Sequence, residues 1–141
     1  MLARCYSENV YSIPAATWWR MNYEVVEYDP YGLVTTGVGA WAFTANHDGF
    51  YLAKAALLWG NIDWGNVPIY LNVYKNGANY ACLDRWQTNL NAAARYIHQH
   101  GHDMVWLNEG EDISFWIRQN DGVARSTYYH HDYNYCAIFR M

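Results

Sequence analysis

Short apolar or alternating runs, cut at nearly regular intervals by Gly, Pro, Asn and Asp, limit what this chain can fold into more than any other feature. In residues 69 to 75, Ile69, Leu71 and Val73 alternate with Tyr70, Asn72 and Tyr74, the period of two that gives a strand one core face. Residues 112 to 117 repeat the pattern, with Ile113, Phe115 and Ile117 set against Asp112, Ser114 and Trp116. No long amphipathic helical pattern competes, so the spacing predicts an all-β sandwich or barrel. Asn76-Gly77 supplies positive φ cheaply and predicts a hairpin, and Asn120-Asp121-Gly122 predicts another.

The strands expected on this basis are 3–6, 18–28, 41–45, 50–59, 69–75, 78–84, 96–100, 104–107, 112–118 and 133–140. Residues 88 to 97, T-N-L-N-A-A-A-R-Y-I, mix helix-favouring Ala and Arg with strand-favouring neighbours and read as a loop leading into a strand. Residues 43 to 59, F-T-A-N-H-D-G-F-Y-L-A-K-A-A-L-L-W, read as a strand, a tight polar turn and a longer apolar strand with hardly a charge. Such a strand needs burial on both faces.

A length of 141 residues suits one domain, 1–141, large enough to bury roughly two-thirds of its unfolded surface. The net charge of −4 and the scattered Lys and Arg lack the electrostatic footprint of a nucleic-acid binder. Charged residues make up 16% and aromatics 18%, which points to extra contacting surface. There is no apolar run long enough to span a membrane as a helix, so no membrane partner is expected. The first 20 residues lack the pattern of a signal peptide, which predicts a protein made in the cytoplasm and not exported. Cys5, Cys82 and Cys136 show no paired spacing and are expected to be buried free thiols.

Four stretches in order, V-V-E-Y-D at 25–29, F-T-A-N-H-D-G-F-Y-L-A-K-A-A-L-L at 43–58, V-Y-K-N-G at 73–77 and V-W-L-N-E-G-E-D-I at 105–113, resemble the C1q/tumour-necrosis-factor jelly-roll superfamily. The closing Y-C-A-I-F at 135–139 resembles its last strand. Glu111 and Ala137 depart from the usual Asp and Gly, and no collagen repeat precedes the domain. The resemblance implies a jelly-roll β-sandwich assembled as a homotrimer, the inner sheet of each subunit facing a threefold axis. Matched position by position, it implies an axis-facing set of Leu52, Lys54, His100, Tyr135 and Phe139, with Ala137 on the same face. Strand parity alone leaves a second reading of Tyr135 and Phe139, as ordinary core. Because the first and last strands pair in a jelly roll, Cys5 and Cys136 are expected close together without a disulfide.

A stand-alone, aromatic-rich domain of this kind resembles virion components of bacterial viruses. The expectation is a capsid-decorating (cement) protein located on the virion, with viral coat protein as partner. The alternatives are a fibre-tip module binding host surface glycan or protein, and a secreted C1q/TNF-like ligand. Trp59 and Trp64, in W-G-N-I-D-W-G-N at 59–66, offer stacking planes for such a contact, set against the reading in which both pack down onto the sandwich.

No G-x-S-x-G, H-E-x-x-H or phosphate-cradling Gly loop is present, so no enzyme activity and no cofactor are expected. His98, His100 and His102 fall on one face of a strand, where two could share a zinc ion; the other reading is solvated imidazoles, with Gly101 bending the strand. His130, His131 and Asp132 lie in a polar, aromatic loop, and adjacent histidines make poor co-ligands unless that loop turns.

Overall fold

The computed structural model describes residues 1–89 and 94–141. Its strands are β1 (Ala3–Tyr6), β2 (Ser12–Ile13), β3 (Trp19–Arg20), β4 (Val25–Tyr28), β5 (Val34–Thr35), β6 (Ala42–Thr44), β7 (Gly49–Ile62), β8 (Pro68–Lys75), β9 (Ala78–Gln87), β10 (Arg95–Leu107), β11 (Asp112–Gln119), β12 (Arg125–Ser126) and β13 (Tyr135–Arg140). A five-stranded sheet runs β10-β7-β13-β1-β4, and a six-stranded sheet runs β5-β6-β11-β8-β9 with β3 also paired to β11. A small ladder joins β12 to β2. Neighbours in each sheet come from distant parts of the chain, the mark of a jelly roll.

The core lies between the two sheets. Trp41 and Phe115 stack with centroids 5.4 Å apart, Tyr23 meets Trp41 edge-on at 5.5 Å, and the Tyr23 hydroxyl donates to the Ala56 carbonyl at 3.2 Å. The alternation in β8 and β11 sends Ile69, Leu71, Val73, Ile113, Phe115 and Ile117 into this core, as their spacing predicts. In β7 the inward set is Tyr51, Ala53, Ala55, Leu57 and Trp59.

Several boundaries differ from the sequence expectation. Residues 18–28 do not make one strand: β3 joins the six-stranded sheet, β4 joins the five-stranded one, and Met21 and Tyr23 are buried in the crossing between. A segment that turns a sandwich corner cannot remain in one ladder. The strands expected at 96–100 and 104–107 form the single strand β10, in which Gly101 sits in register with Ala55 and does not end the pairing. What Gly101 permits is close approach, because a Cβ there would lie 2.3 Å from the Leu83 carbonyl oxygen of β9.

Asn76 and Gly77, at φ 49° and 75°, close the β8–β9 hairpin as expected. Residues 120–122 turn the chain but close no hairpin, since β12 pairs with β2 and not with β11. The two-residue strands β2, β5 and β12 are too short to show a period in sequence. Of residues 88–97, those from 90 to 93 lie outside the described residues, and β10 begins at Arg95.

Cys5 and Cys136 stand opposite each other on β1 and β13 as buried free thiols, whereas Cys82 is exposed, contrary to expectation. Burial pushes the Cys136 thiol well above its ordinary pKa, and the hydrogen bond with Cys136 lowers that of Cys5.

Candidate functional site: the open face of the five-stranded sheet

The residues of a strand that alternate with its core-facing ones must point out of the sandwich. From β7 these are Phe50, Leu52 and Lys54, and from β13 they are Tyr135, Ala137 and Phe139. Register locks them together, with Phe139 opposite Leu52 and Ala137 opposite Lys54. The axis-facing set named from sequence therefore occupies one face, and Tyr135 and Phe139 are half-buried outside the sandwich core. His100, the remaining member, is exposed on β10 in register with Ala56.

Three large residues extend this face beyond the five named from sequence. Phe50, Met104 and Trp106 are 50%, 53% and 44% exposed, with the Phe50 and Trp106 rings edge-to-face at 5.0 Å. Their signal was legible: Phe50 precedes Leu52 by two, and the even-numbered positions of β10 run from His100 through His102 and Met104 to Trp106.

Two cations mark the middle of the face. The Arg4 guanidinium and the Lys54 ammonium lie 5.8 and 5.7 Å from the Tyr135 ring centroid, and Arg4 also pairs with Glu27 at 2.8 Å. Around them Met1, Arg4, Lys54, Tyr135, Ala137 and Phe139 line a shallow hollow of about 280 Å³.

At the other end of the face, Leu58, Tyr96, His98, Tyr128 and Tyr133 line a larger, mostly apolar hollow of about 460 Å³. His98 stacks on His100 at 5.2 Å and meets Tyr133 edge-on at 5.4 Å, and its buried Nε2 has no hydrogen-bond partner among the described residues. Burial, and then the neighbouring His100, lower the His98 pKa below its ordinary value. The strand histidines form no ligand cluster among the described residues.

Of the two readings of the tryptophan pair, packing onto the sandwich is the one the structure shows, and the partner or glycan contact at Trp59 and Trp64 falls away. Trp59 and Trp64 are 0% and 2% exposed, perpendicular to each other at 5.3 Å, and Trp59 Nε1 donates to the buried Gln99 at 2.8 Å. Trp59 sits at an inward position of β7, so strand parity sends its indole into the sandwich, and Trp64 folds back to cover it.

A second group of outward-facing aromatics, half-buried, lies on the six-stranded sheet. There Tyr74 stacks on Trp116 at 4.8 Å, and Trp18 lies 5.9 Å from both Tyr70 and Tyr74. Arg118 covers Trp18, Arg20 covers Trp116 and Arg85 covers Tyr70, at 5.8, 5.9 and 5.6 Å. Sequence reasoning placed Tyr70, Tyr74 and Trp116 on outward faces but could not see them meet.

Solved structures share this arrangement of sheets. The chain superposes on the TNF protein Eiger of S. frugiperda with a TM-score of 0.67 at 10% identity, covering 99% of this chain and 90% of the other. The fold is the C1q/TNF-like jelly roll. Murine APRIL matches this jelly roll with a TM-score of 0.65 at 12% identity, over 99% of this chain and 97% of the other. The globular domain of zebrafish complement 1qA matches at 0.61 and 12%, over 99% and 95%. No family model matches the sequence, and no curated protein does.

Proposed function

We propose that this jelly roll is a non-catalytic homotrimeric binding module whose open five-stranded face packs around a threefold axis. One observation carries the reading: Phe50, Leu52, Met104, Trp106, Tyr135 and Phe139 share a single sheet face that no other part of the described chain covers. An apolar patch of this kind on a protein surface marks a contact.

The biological role we propose for the trimer is decoration of a viral capsid. The six-stranded sheet would then face outward from the axis and lay its Trp and Tyr ladder across seams between coat subunits. A second reading takes that ladder as a receptor or glycan site of a fibre tip. Flat rings beside Arg20, Arg85 and Arg118 suit sugars that carry acidic groups. The likeness to TNF, APRIL and complement 1qA domains supports a third, a secreted ligand.

Light scattering behind a sizing column tests the assembly. A mass of about 50 kDa, three times the 16.5 kDa chain, is expected, and a 16.5 kDa monomer refutes it. Co-sedimentation with capsids and a glycan array then separate the roles. Saturable capsid binding with no consistent sugar preference favours decoration, and the reverse favours the fibre tip.

A further inference from the structure

The segment between β12 and β13 brings together two histidines that an extended strand would separate. The amides of Tyr133 and Asn134 both donate to the His130 carbonyl, at 3.0 and 2.9 Å, closing a tight turn. The turn swings the rings of His130 and His131 onto the same side, stacked at 5.2 Å with 15° between planes. Asp132 lies between them, its carboxylate 3.6 Å from His130 Nδ1 and 3.1 Å from His131 Nε2. One donor atom from each residue falls within 4.8 Å of the others.

We infer that His130, His131 and Asp132 form a binding site for a zinc-class divalent cation, with Glu8, which lies outside this cluster but lines the adjoining hollow, turning in as the fourth donor when the ion binds. Tetrahedral zinc with bonds near 2.05 Å has donor-to-donor edges of about 3.4 Å, and both contacts lie near that length, one through each carboxylate oxygen, Oδ2 toward His130 and Oδ1 toward His131. Two imidazoles with carboxylates suit zinc and its late first-row neighbours and suit magnesium poorly. The Asp132 amide donates to His130 Nδ1 at 3.3 Å, which selects the tautomer with its lone pair on that nitrogen. A cation would take over this long bond.

The placement of Glu8 follows from the fold. The Ser7 amide donates to the Asn134 carbonyl at 2.9 Å, which draws the end of β1 against the loop. Glu8 consequently lines the same hollow of about 420 Å³ as Tyr129, His130 and His131. The base of the loop is held by buried Asn134, whose Oδ1 accepts from the Leu58 amide at 2.6 Å and whose Nδ2 donates to the Tyr128 carbonyl. His131 also meets the Tyr6 ring at 5.8 Å. Arg4, the nearby cation, is paired with Glu27, so its charge opposes metal entry less. All four donors come from one chain, so the site does not depend on the trimer.

Titration of the full chain with Zn²⁺ in a calorimeter, and with Co²⁺ as a visible-absorbance probe of four-coordinate geometry, tests the inference. One equivalent per chain is expected, insensitive to excess Mg²⁺. His131→Ala and Asp132→Asn should each weaken binding at least about tenfold, with unchanged circular dichroism, and Glu8→Gln should weaken it and alter the Co²⁺ spectrum. His98→Ala combined with His102→Ala should leave binding intact. The inference is overturned if the wild-type chain shows no saturable binding, if the loop variants bind as it does, or if only the strand-histidine variant loses the ion.

Discussion

The two outward faces of this sandwich use similar residues in opposite ways. On the six-stranded sheet the rings of Trp18, Tyr70, Tyr74 and Trp116 stack on each other and lie under three guanidinium groups, so their apolar surface is largely met within the chain. On the five-stranded sheet Phe50, Met104 and Trp106 stand half exposed, and apart from the Phe50–Trp106 contact their outer surface meets only solvent. Aromatic content alone therefore does not locate an interface. What distinguishes the five-stranded face, the one proposed for assembly, is that its large apolar groups stand half exposed.

The largest effect is expected from a charge placed in the middle of the five-stranded face, at buried Ala137. Ala137→Arg puts a guanidinium between Arg4 and Lys54, whose backbones are its register partners on both sides. Like charges crowded on a desolvated contact are costly, so the mass should fall from trimer to monomer while the circular dichroism stays β-rich. An unchanged mass would move the interface elsewhere. Tyr135→Asp is the weaker choice, because Arg4 and Lys54 would neutralise the new carboxylate.

Trp116→Ala on the opposite face should act on stability and not on mass. It removes the stack on Tyr74 and the seat of Arg20, together about 1–2 kcal/mol, read as a lower denaturation midpoint of a particle that is still trimeric. If this variant dissociates instead, the contrast between the faces is wrong.

A smaller effect should follow pH. Burial lowers the His98 pKa, so its folded pKa lies below its unfolded one, near 6.5. Its contribution to stability is complete above the unfolded value and is lost as pH falls through the folded one. Acidification should thus loosen the five-stranded face first, seen as trimer dissociation at acid pH that His98→Phe reduces.

Much of the candidate face was readable beforehand because strand parity is a local property. Leu52 and Lys54 must share a face, as must Tyr135, Ala137 and Phe139, whatever else the chain does. The run from His100 to Trp106 was cut short by reading Gly101 as a bend, when its role is to let the β9 backbone approach. Trp59 and Trp64 were ambiguous for a different reason. An indole at a strand end packs inward or stacks on a partner with no change in local pattern, and only the position of Gln99 on the neighbouring strand β10 decides it. His130 and His131 converge because residues 130–134 turn, a geometry set by Asn134 reaching β7 and by Ser7 reaching Asn134.

By itself the sequence determined the inward and outward residues of β8 and β11, the outward sets of β7 and β13 and the Asn76-Gly77 hairpin, since each depends on neighbours one or two positions away. Tertiary structure alone decided which sheet β3 and β4 join, that the Trp59 pair is core, and that three donors gather in one loop. Those outcomes depend on contacts between residues far apart in the chain, whose free energy appears only once the sandwich has closed.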